Sequence, residues 1–405
     1  MLSLEHLPAL ALLAPAAAAL AAGVLGGLLP QRAAIAGRVL VRLGLFATLG
    51  ILVYLVAVLQ PAGSVAVVLW RIAPTLPVEL QVDLAGAAVA IAATTAALLV
   101  SLSGRDGALA SAAIGVAALG AILASLSGGL LSLYIGLQLS AVGGIGLSYA
   151  RSPRAPSGRM VVAAVADQAV TLLWLGAVVG LNRQTGTMLF SGTPTAAVTL
   201  PLAGILLIPG VVRLVGAGLV PDAASSAGTA HALDLADWLA VVAVPTGLTV
   251  LLRVQQLSGG TWPNPALGTA LDGLAVILGL GAALLVLRGG TGAGLRPLLM
   301  VSGAMVLLGF GANSAPGTGL AVAAALFLEL GVLVAPRLLI AAPSTRARRP
   351  LPSWGGRAAL VATTAPLSLG VTVAVVGIAL ALAAGPGAGL LPGLGYGVSL
   401  AVLAL

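Results

Sequence analysis

The sequence predicts an all-α polytopic membrane protein of about 13 transmembrane helices. Three observations predict it. Hydrophobic residues make up 60% of the 405 positions and charged residues only 7%, far too apolar for a water-soluble domain. Apolar runs long enough to cross a bilayer recur from one end of the chain to the other. The arginines gather in alternate connections between those runs, as cytoplasmic positive charge does.

Each run is justified by the length of a bilayer crossing. The first, 7–29, follows Glu5 and His6 instead of a basic segment and exceeds a signal-peptide core, so it reads as a first transmembrane helix. Further spans are expected at 39–60, 84–102, 108–126, 128–150, 160–180, 197–219, 235–256, 266–287, 295–313, 318–342, 358–384 and from 388 onward. The longest polar connections, 61–83 and 343–357, read as Pro-containing loops.

With the N-terminus outside, the inner connections hold Arg32, Arg38, Arg42, Arg105, Arg151, Arg154, Arg159, Arg288, Arg296, Arg346, Arg348, Arg349 and Arg357. The outer ones hold only Arg71 and Arg183, together with Glu5 and Glu79. The expected location is therefore a bacterial inner membrane with an outward N-terminus. The net charge of +8 reports this topology and lipid contact, not a nucleic-acid partner. No cysteine is present and only two histidines, His6 and His231, so disulfides, thiolate zinc, iron–sulfur clusters and a haem ligand pair are excluded. No cofactor or metal is expected, and redox chemistry would belong to other polypeptides. All eighteen basic residues are arginine, which fits the coding bias of a GC-rich genome.

Segments 108–256 and 266–405 each hold about five spans, and an odd-numbered repeat must be inverted in the membrane. The expected organisation is an N-terminal segment, 1–107, a first five-helix repeat, 108–256, and a second, abbreviated repeat, 257–405. Charges within spans are costly and mark candidate ion paths. They are Asp167 in the sixth span, Arg213 in the seventh, Asp237 and Asp272 near the ends of the eighth and ninth, where solvation is easy and a structural role is expected, and Glu329 and Arg337 in the eleventh; Gln138 in the fifth is neutral but hydrogen-bonding. Pro209 and Gly210 before Arg213 predict a broken helix beside a buried charge. Arginine can steer a proton but does not release one, whereas Asp167 and Glu329 are acids able to titrate. Static pairing of either acid with an arginine is the structural alternative. Gly143-Gly144-Ile145-Gly146 reads as a helix-packing surface.

Several stretches, in order, resemble the antiporter-like subunits shared by respiratory complex I, membrane-bound hydrogenases and Mrp-type sodium/proton antiporters. They are Val82-Asp83-Leu84-Ala85-Gly86 at the third helix, Leu131 to Gln138 in the fifth, Thr185-Gly186-Thr187 after the sixth, and Arg213 with Pro221-Asp222-Ala223 around the seventh. Asp237-Trp238-Leu239 through Arg253, Leu295 to Ser302 with Gly309, and Thr363 to Leu367 continue the series. Gln138 stands where the family has a glutamate, and Arg213 near its central lysine.

The resemblance implies two inverted five-helix units with interrupted helices, joined by a central row of charges. It implies a non-catalytic subunit of a quinone-, NADH- or hydrogenase-linked assembly, or of an ion-uptake module, whose partners are other membrane subunits. The expected contribution is proton or cation translocation through Gln138, Asp167, Arg213, Asp237, Glu329 and Arg337. A scaffold that has lost the relay, and a stand-alone permease, are the alternatives.

Overall fold

The computed structural model describes residues 6–29, 33–59, 63–73, 76–103, 106–151, 158–219, 236–289, 296–341, 373–381, 383 and 392–399. Among them are α1 (Leu7–Leu28), α2 (Ala34–Val58), β1 (Val65–Ala73), β2 (Leu76–Val82), α3 (Leu84–Ser103), α4 (Ala108–Ser125) and α5 (Leu130–Arg151). There follow α6 (Gly158–Thr185), α7 (Leu200–Leu219), α8 (Ala236–Leu257), α9 (Pro265–Gly289), α10 (Arg296–Gly311) and α11 (Ala315–Ala341). Two further helices, α12 (373–381) and α13 (392–399), complete a set of thirteen among the described residues. Eight of these are long and apolar enough to cross a membrane, and α7, α10 and α11 contribute shorter apolar stretches. The predicted all-α polytopic fold is borne out.

The chain divides into two compact units. Unit 1 comprises Met1–Arg213 with Ala240–Gly259, and unit 2 comprises Leu214–Leu239 with Gly260–Leu405.

In unit 1, α4 is held on several sides through small residues. A Cβ on Gly120 would meet the backbone nitrogen of Ser140, and one on Gly136 or Gly143 would meet that of Ala124 or Ala117. The α4 and α5 backbones are therefore in direct contact, which only glycine permits. Tight backbone approach is the chief source of helix association where lipid competes for every apolar side chain. Leu52, Leu55, Leu80, Val82, Ile122 and Leu126 form a buried core next to this contact. Outward faces carry exposed apolar side chains, among them Leu13, Leu20 and Val24 on α1, Phe46 and Val53 on α2, and Val165, Leu172 and Leu173 on α6. Such a surface suits hydrocarbon and not water.

The connection 61–83 corrects the sequence reading. It is an antiparallel hairpin, with Val65 opposite Val82 and irregularities between Val68 and Trp70 and between Arg71 and Ala73. Val78, Leu80 and Val82 alternate inward along β2, a period-two burial that the prolines obscured. Gln81 N–H donates to the Leu126 carbonyl (2.7 Å) and Gly128 N–H to the Glu79 carbonyl (2.9 Å). Leu130 N–H donates to the Met188 carbonyl (2.8 Å) and Phe190 N–H to that of Gly128 (3.0 Å). The hairpin, the α4–α5 turn and the α6–α7 connection thus share one end of unit 1, the alternation that the arginine count requires. At the other end Arg151 donates through Nε to Asp106 Oδ1 at 2.8 Å and through Nη2 to Oδ2 at 3.0 Å. Arg42 there donates to the Ser101 carbonyl at 2.5 Å.

Partial burial raises the Glu79 carboxyl above its ordinary range. The folded chain then holds this proton more tightly than the unfolded chain, so stability falls as pH rises through the carboxylate range. Thermal unfolding in detergent between about pH 4 and pH 7 is expected to show this small decline, and Glu79→Gln to remove it.

Candidate buried charge site

Arg213 and Asp167 meet inside unit 1. Arg213 Nε donates to Asp167 Oδ1 at 2.7 Å and Nη2 to Oδ2 at 2.9 Å, a two-pronged pair with side-chain exposures of 1% and 7%. Arg213 Nη1 donates to Thr246 Oγ1 at 2.8 Å. Thr246 Oγ1 in turn donates to the Val242 carbonyl, at 2.5 Å. Thr171, one turn from Asp167 on α6, donates to the Asp167 carbonyl at 2.7 Å.

Three helices bring these groups together, and each does so for a local reason. Asp167 projects inward from α6, whose opposite face carries exposed Leu172 and Leu173. Arg213 follows Pro209, a residue that cannot donate to the preceding turn. The predicted break is absent, for α7 is helical throughout Leu200–Leu219 with Pro209 inside it. The nearby Leu206 carbonyl accepts from Trp174 Nε1 at 3.1 Å. Trp174 stacks on Tyr134 with ring centroids 6.3 Å apart. The helix that departs from regular geometry is α8, which runs as a π-helix over Leu239–Ala243 immediately before Pro245 and Thr246. A π-turn of this kind commonly marks a functional site.

The sequence reading missed a second buried arginine. Arg253, 3% exposed, donates through Nη1 to Asp83 Oδ2 (2.5 Å) and Gln256 Oε1 (2.7 Å), and through Nη2 to the carbonyls of Ser125 (2.5 Å) and Gln81 (3.3 Å). The Phe190 ring lies 5.9 Å from its guanidinium carbon. Asp83 in turn caps α3, accepting from Gly86 N–H at 2.6 Å. A Cβ on Gly86 would overlap the Ser125 carbonyl, so this glycine lets α3 approach the end of α4. The signal was legible: Thr246, Thr249, Arg253 and Gln256 recur at helical spacing on an otherwise apolar segment.

The remaining candidates separate. Gln138 is only partly buried and makes no side-chain hydrogen bond among the described residues. In unit 2, Asp237 and Asp272 are 2% and 6% exposed, which corrects the expectation that proximity to span ends would solvate them. Asp272 reaches across to Gly311, where any Cβ would collide with its carboxylate. Glu329 is 5% exposed; its Oε1, Asp272 Oδ1 and the Tyr396 hydroxyl are buried with no hydrogen-bond partner among the described residues. The nearby turn before α9 is fixed by Trp262, whose N–H donates to Asn313 Oδ1 (2.5 Å) and whose Nε1 donates to the Phe310 carbonyl (2.8 Å). The side chain of Arg337 lies outside the described residues, as do His231, Pro221-Asp222-Ala223, Arg346, Arg348, Arg349 and Thr363 to Leu367. No group of three or more acidic or histidine side chains able to hold a metal occurs among the described residues.

No family model and no curated protein matches the chain. Solved structures do match it. A chain of the Mrp complex from a Dietzia species superimposes with a TM-score of 0.72 at 16% identity, covering 100% of this chain and 79% of that one. A chain of the membrane-bound sulfane sulfur reductase, an archaeal respiratory membrane complex, gives 0.70 at 15% identity, with 98% and 68% covered. A chain of respiratory complex I from Thermus thermophilus gives 0.66 at 19%, with 96% and 87% covered. The chain thus shares its fold with chains of these three membrane complexes, the fold that the ordered motifs implied.

Proposed function

We propose that the chain is an antiporter-like subunit of a multi-subunit membrane assembly related to complex I, and that it takes part in proton or cation translocation. Its electron transfer or uptake partners would be other membrane subunits, and it would lie in a bacterial inner membrane with its N-terminus outside. The observation that carries this reading is the buried, two-pronged Arg213–Asp167 pair beside the π-turn of α8, in a fold shared with chains of the Mrp complex and respiratory complex I.

Arg213 keeps its proton, so the group that exchanges one in this pair is Asp167. While both carboxylate oxygens accept from Arg213 the pair is closed. Transfer requires the guanidinium to retreat onto Thr246, which already accepts one of its N–H groups. Glu329, buried with an oxygen unpaired among the described residues, is the corresponding acid of unit 2. We read 108–256 and 257–405 as the two inverted repeats that carry these acids.

A second reading, a scaffold that no longer conducts, is favoured by the same pair: a bidentate arginine clamp is also a static tie. Proton uptake by liposomes containing the native assembly separates the two. Asp167→Asn and Glu329→Gln are each expected to reduce driven proton movement by about tenfold or more. Unchanged proton stoichiometry in both variants would establish the scaffold.

A further inference from the structure

We propose that an anionic phospholipid docks between α2 and the end of α3, its phosphate held by Arg42 and Ser101 and an acyl chain lying along the outward face of α2. The site belongs to unit 1, at the end opposite the hairpin, and holds whether or not the chain moves protons.

Arg151 and Arg213 each present the Nε–Nη2 edge of the guanidinium to both oxygens of a carboxylate. Arg42 presents the same edge to a single carbonyl. Its Nη2 donates to the Ser101 carbonyl, while its Nε is enclosed and has no hydrogen-bond partner among the described residues. That edge matches two oxygens of one anion, a carboxylate or a phosphate. An arginine that merely closed the end of α3 would leave half of it unused.

The Ser101 hydroxyl is a second orphan. Thr94 on the same helix, and Ser111 and Ser125 on α4, donate from their hydroxyls to the carbonyl four residues back. Ser101 is 2% exposed, and its Oγ is buried without a partner among the described residues. One donor is thus left over on each side of the Arg42–Ser101 contact. Neither is open to water, so a group that brings its own acceptors must complete them.

Among the described residues no acid supplies those acceptors. Up to Arg159 the chain carries eight arginines, seven of them at or near the α1–α2, α3–α4 and α5–α6 connections, and the only carboxylate there is Asp106. Both of its oxygens are taken by Arg151. A zwitterionic headgroup would add a further cation to this excess, whereas an anionic one offsets it.

The adjoining surface suits the rest of a lipid. The 20 residues of α3 rise about 30 Å, the thickness of the hydrocarbon core, which puts Ser101 in its last turn at headgroup depth. Arg38 stands one turn before Arg42 on the same side of α2, nearer that boundary. Toward the bilayer centre Leu43, Phe46, Gly50 and Val53 share one exposed face of α2, and nothing lies within 4 Å of the Gly50 Cβ position. Leu99 and Leu102 are exposed on α3 beside Ser101. Binding turns the half-buried Arg42 side chain so that its edge faces this groove.

The test uses the full-length protein, stripped of lipid in detergent and titrated with dioleoyl phosphatidylglycerol, dioleoyl phosphatidylcholine or inorganic phosphate. Native mass spectrometry reads the apparent Kd of the first lipid bound, and thermal unfolding reads the gain in Tm. Phosphatidylglycerol is expected to bind about tenfold more tightly than phosphatidylcholine, and Arg42→Gln to abolish that preference. Ser101→Ala keeps the bond from Arg42 to the carbonyl. It is expected to weaken phosphatidylglycerol about fivefold with no loss of Tm in the lipid-free protein, a result that a helix cap without a ligand does not produce. This variant decides the matter if Arg42→Gln fails to fold. Arg71→Gln, exposed on β1, is expected to bind both lipids as the unaltered protein does. Equal binding of the two lipids, or unchanged binding in Ser101→Ala, overturns the proposal. Inorganic phosphate that stabilises as much as phosphatidylglycerol overturns it in favour of a free anion.

Discussion

Arg213→Met is expected to destabilise the folded protein by about 3–5 kcal/mol, because the buried Asp167 carboxyl loses its cation and both of that cation's hydrogen bonds. The converse change, Asp167→Leu, strands the guanidinium and is expected to cost a similar amount. Joining them tells more. A buried ion pair replaced on both sides by apolar side chains of similar volume is often neutral for stability, since the desolvation of both charges is relieved at once. The double variant Asp167→Leu/Arg213→Met is therefore expected to recover most of the loss in a thermal unfolding measurement in detergent. Its activity is then interpretable: a double variant that folds, assembles and no longer moves protons assigns the pair to transport. One that folds and still moves them makes the pair a structural tie.

Gly143→Val is expected to have an effect of at least the same order. Its Cβ would fall on the backbone nitrogen of Ala117, which no rotamer change can move, so α4 and α5 must separate along their length. Overpacking of this kind typically costs about 1–3 kcal/mol where side chains can yield, and more where the obstacle is backbone. Little folded protein should be recovered by size-exclusion chromatography. Gly180→Ala on α6 is the control: nothing lies within 4 Å of its Cβ position, and alanine favours the helix over glycine by about 1 kcal/mol. Equal recovery of the two variants would contradict the contact between α4 and α5.

How legible the molecule was in its sequence depended on the physical signal. Span positions followed from apolar run length, and alternation from arginine placement, because both are imposed by the bilayer on every helix. Asp167 and Arg213 stood out as charges inside spans. Their pairing did not, since two helices that are distant in sequence meet only through packing. The hairpin was hidden by prolines and by β1, whose exposed Val68, Trp70 and Ile72 flank Arg71 and break the alternation of a half-buried strand. Arg253 was overlooked for the opposite reason. It lies close to the end of an apolar run, where an arginine ordinarily reaches out to the interface, and only the positions of Thr246, Thr249 and Gln256 show that it turns inward. Asp272 was misjudged on the same assumption. The approach of Gly268 to Gly311, where a Cβ would come within 2.6 Å of a carbonyl, closes the helix end that depth alone would leave wet.

The burial of α8 bears on how the protein is made. It is the least apolar of the eight membrane-length helices and at the same time the most completely enclosed, with 94% of an 18-residue stretch buried inside the fold. A segment carrying Asp237 and Arg253 is a poor substrate for insertion by hydrophobicity alone, each such charge adding up to about 2.5–3.5 kcal/mol. Its polar partners, Asp83, Ser125 and Arg213, are all synthesised before it. Residence of α8 in the bilayer is therefore a product of order: the earlier helices must already stand as a receptive groove when the ribosome delivers it, and a defect in α3 or α4 would first be seen as a span that fails to insert more than a hundred residues later.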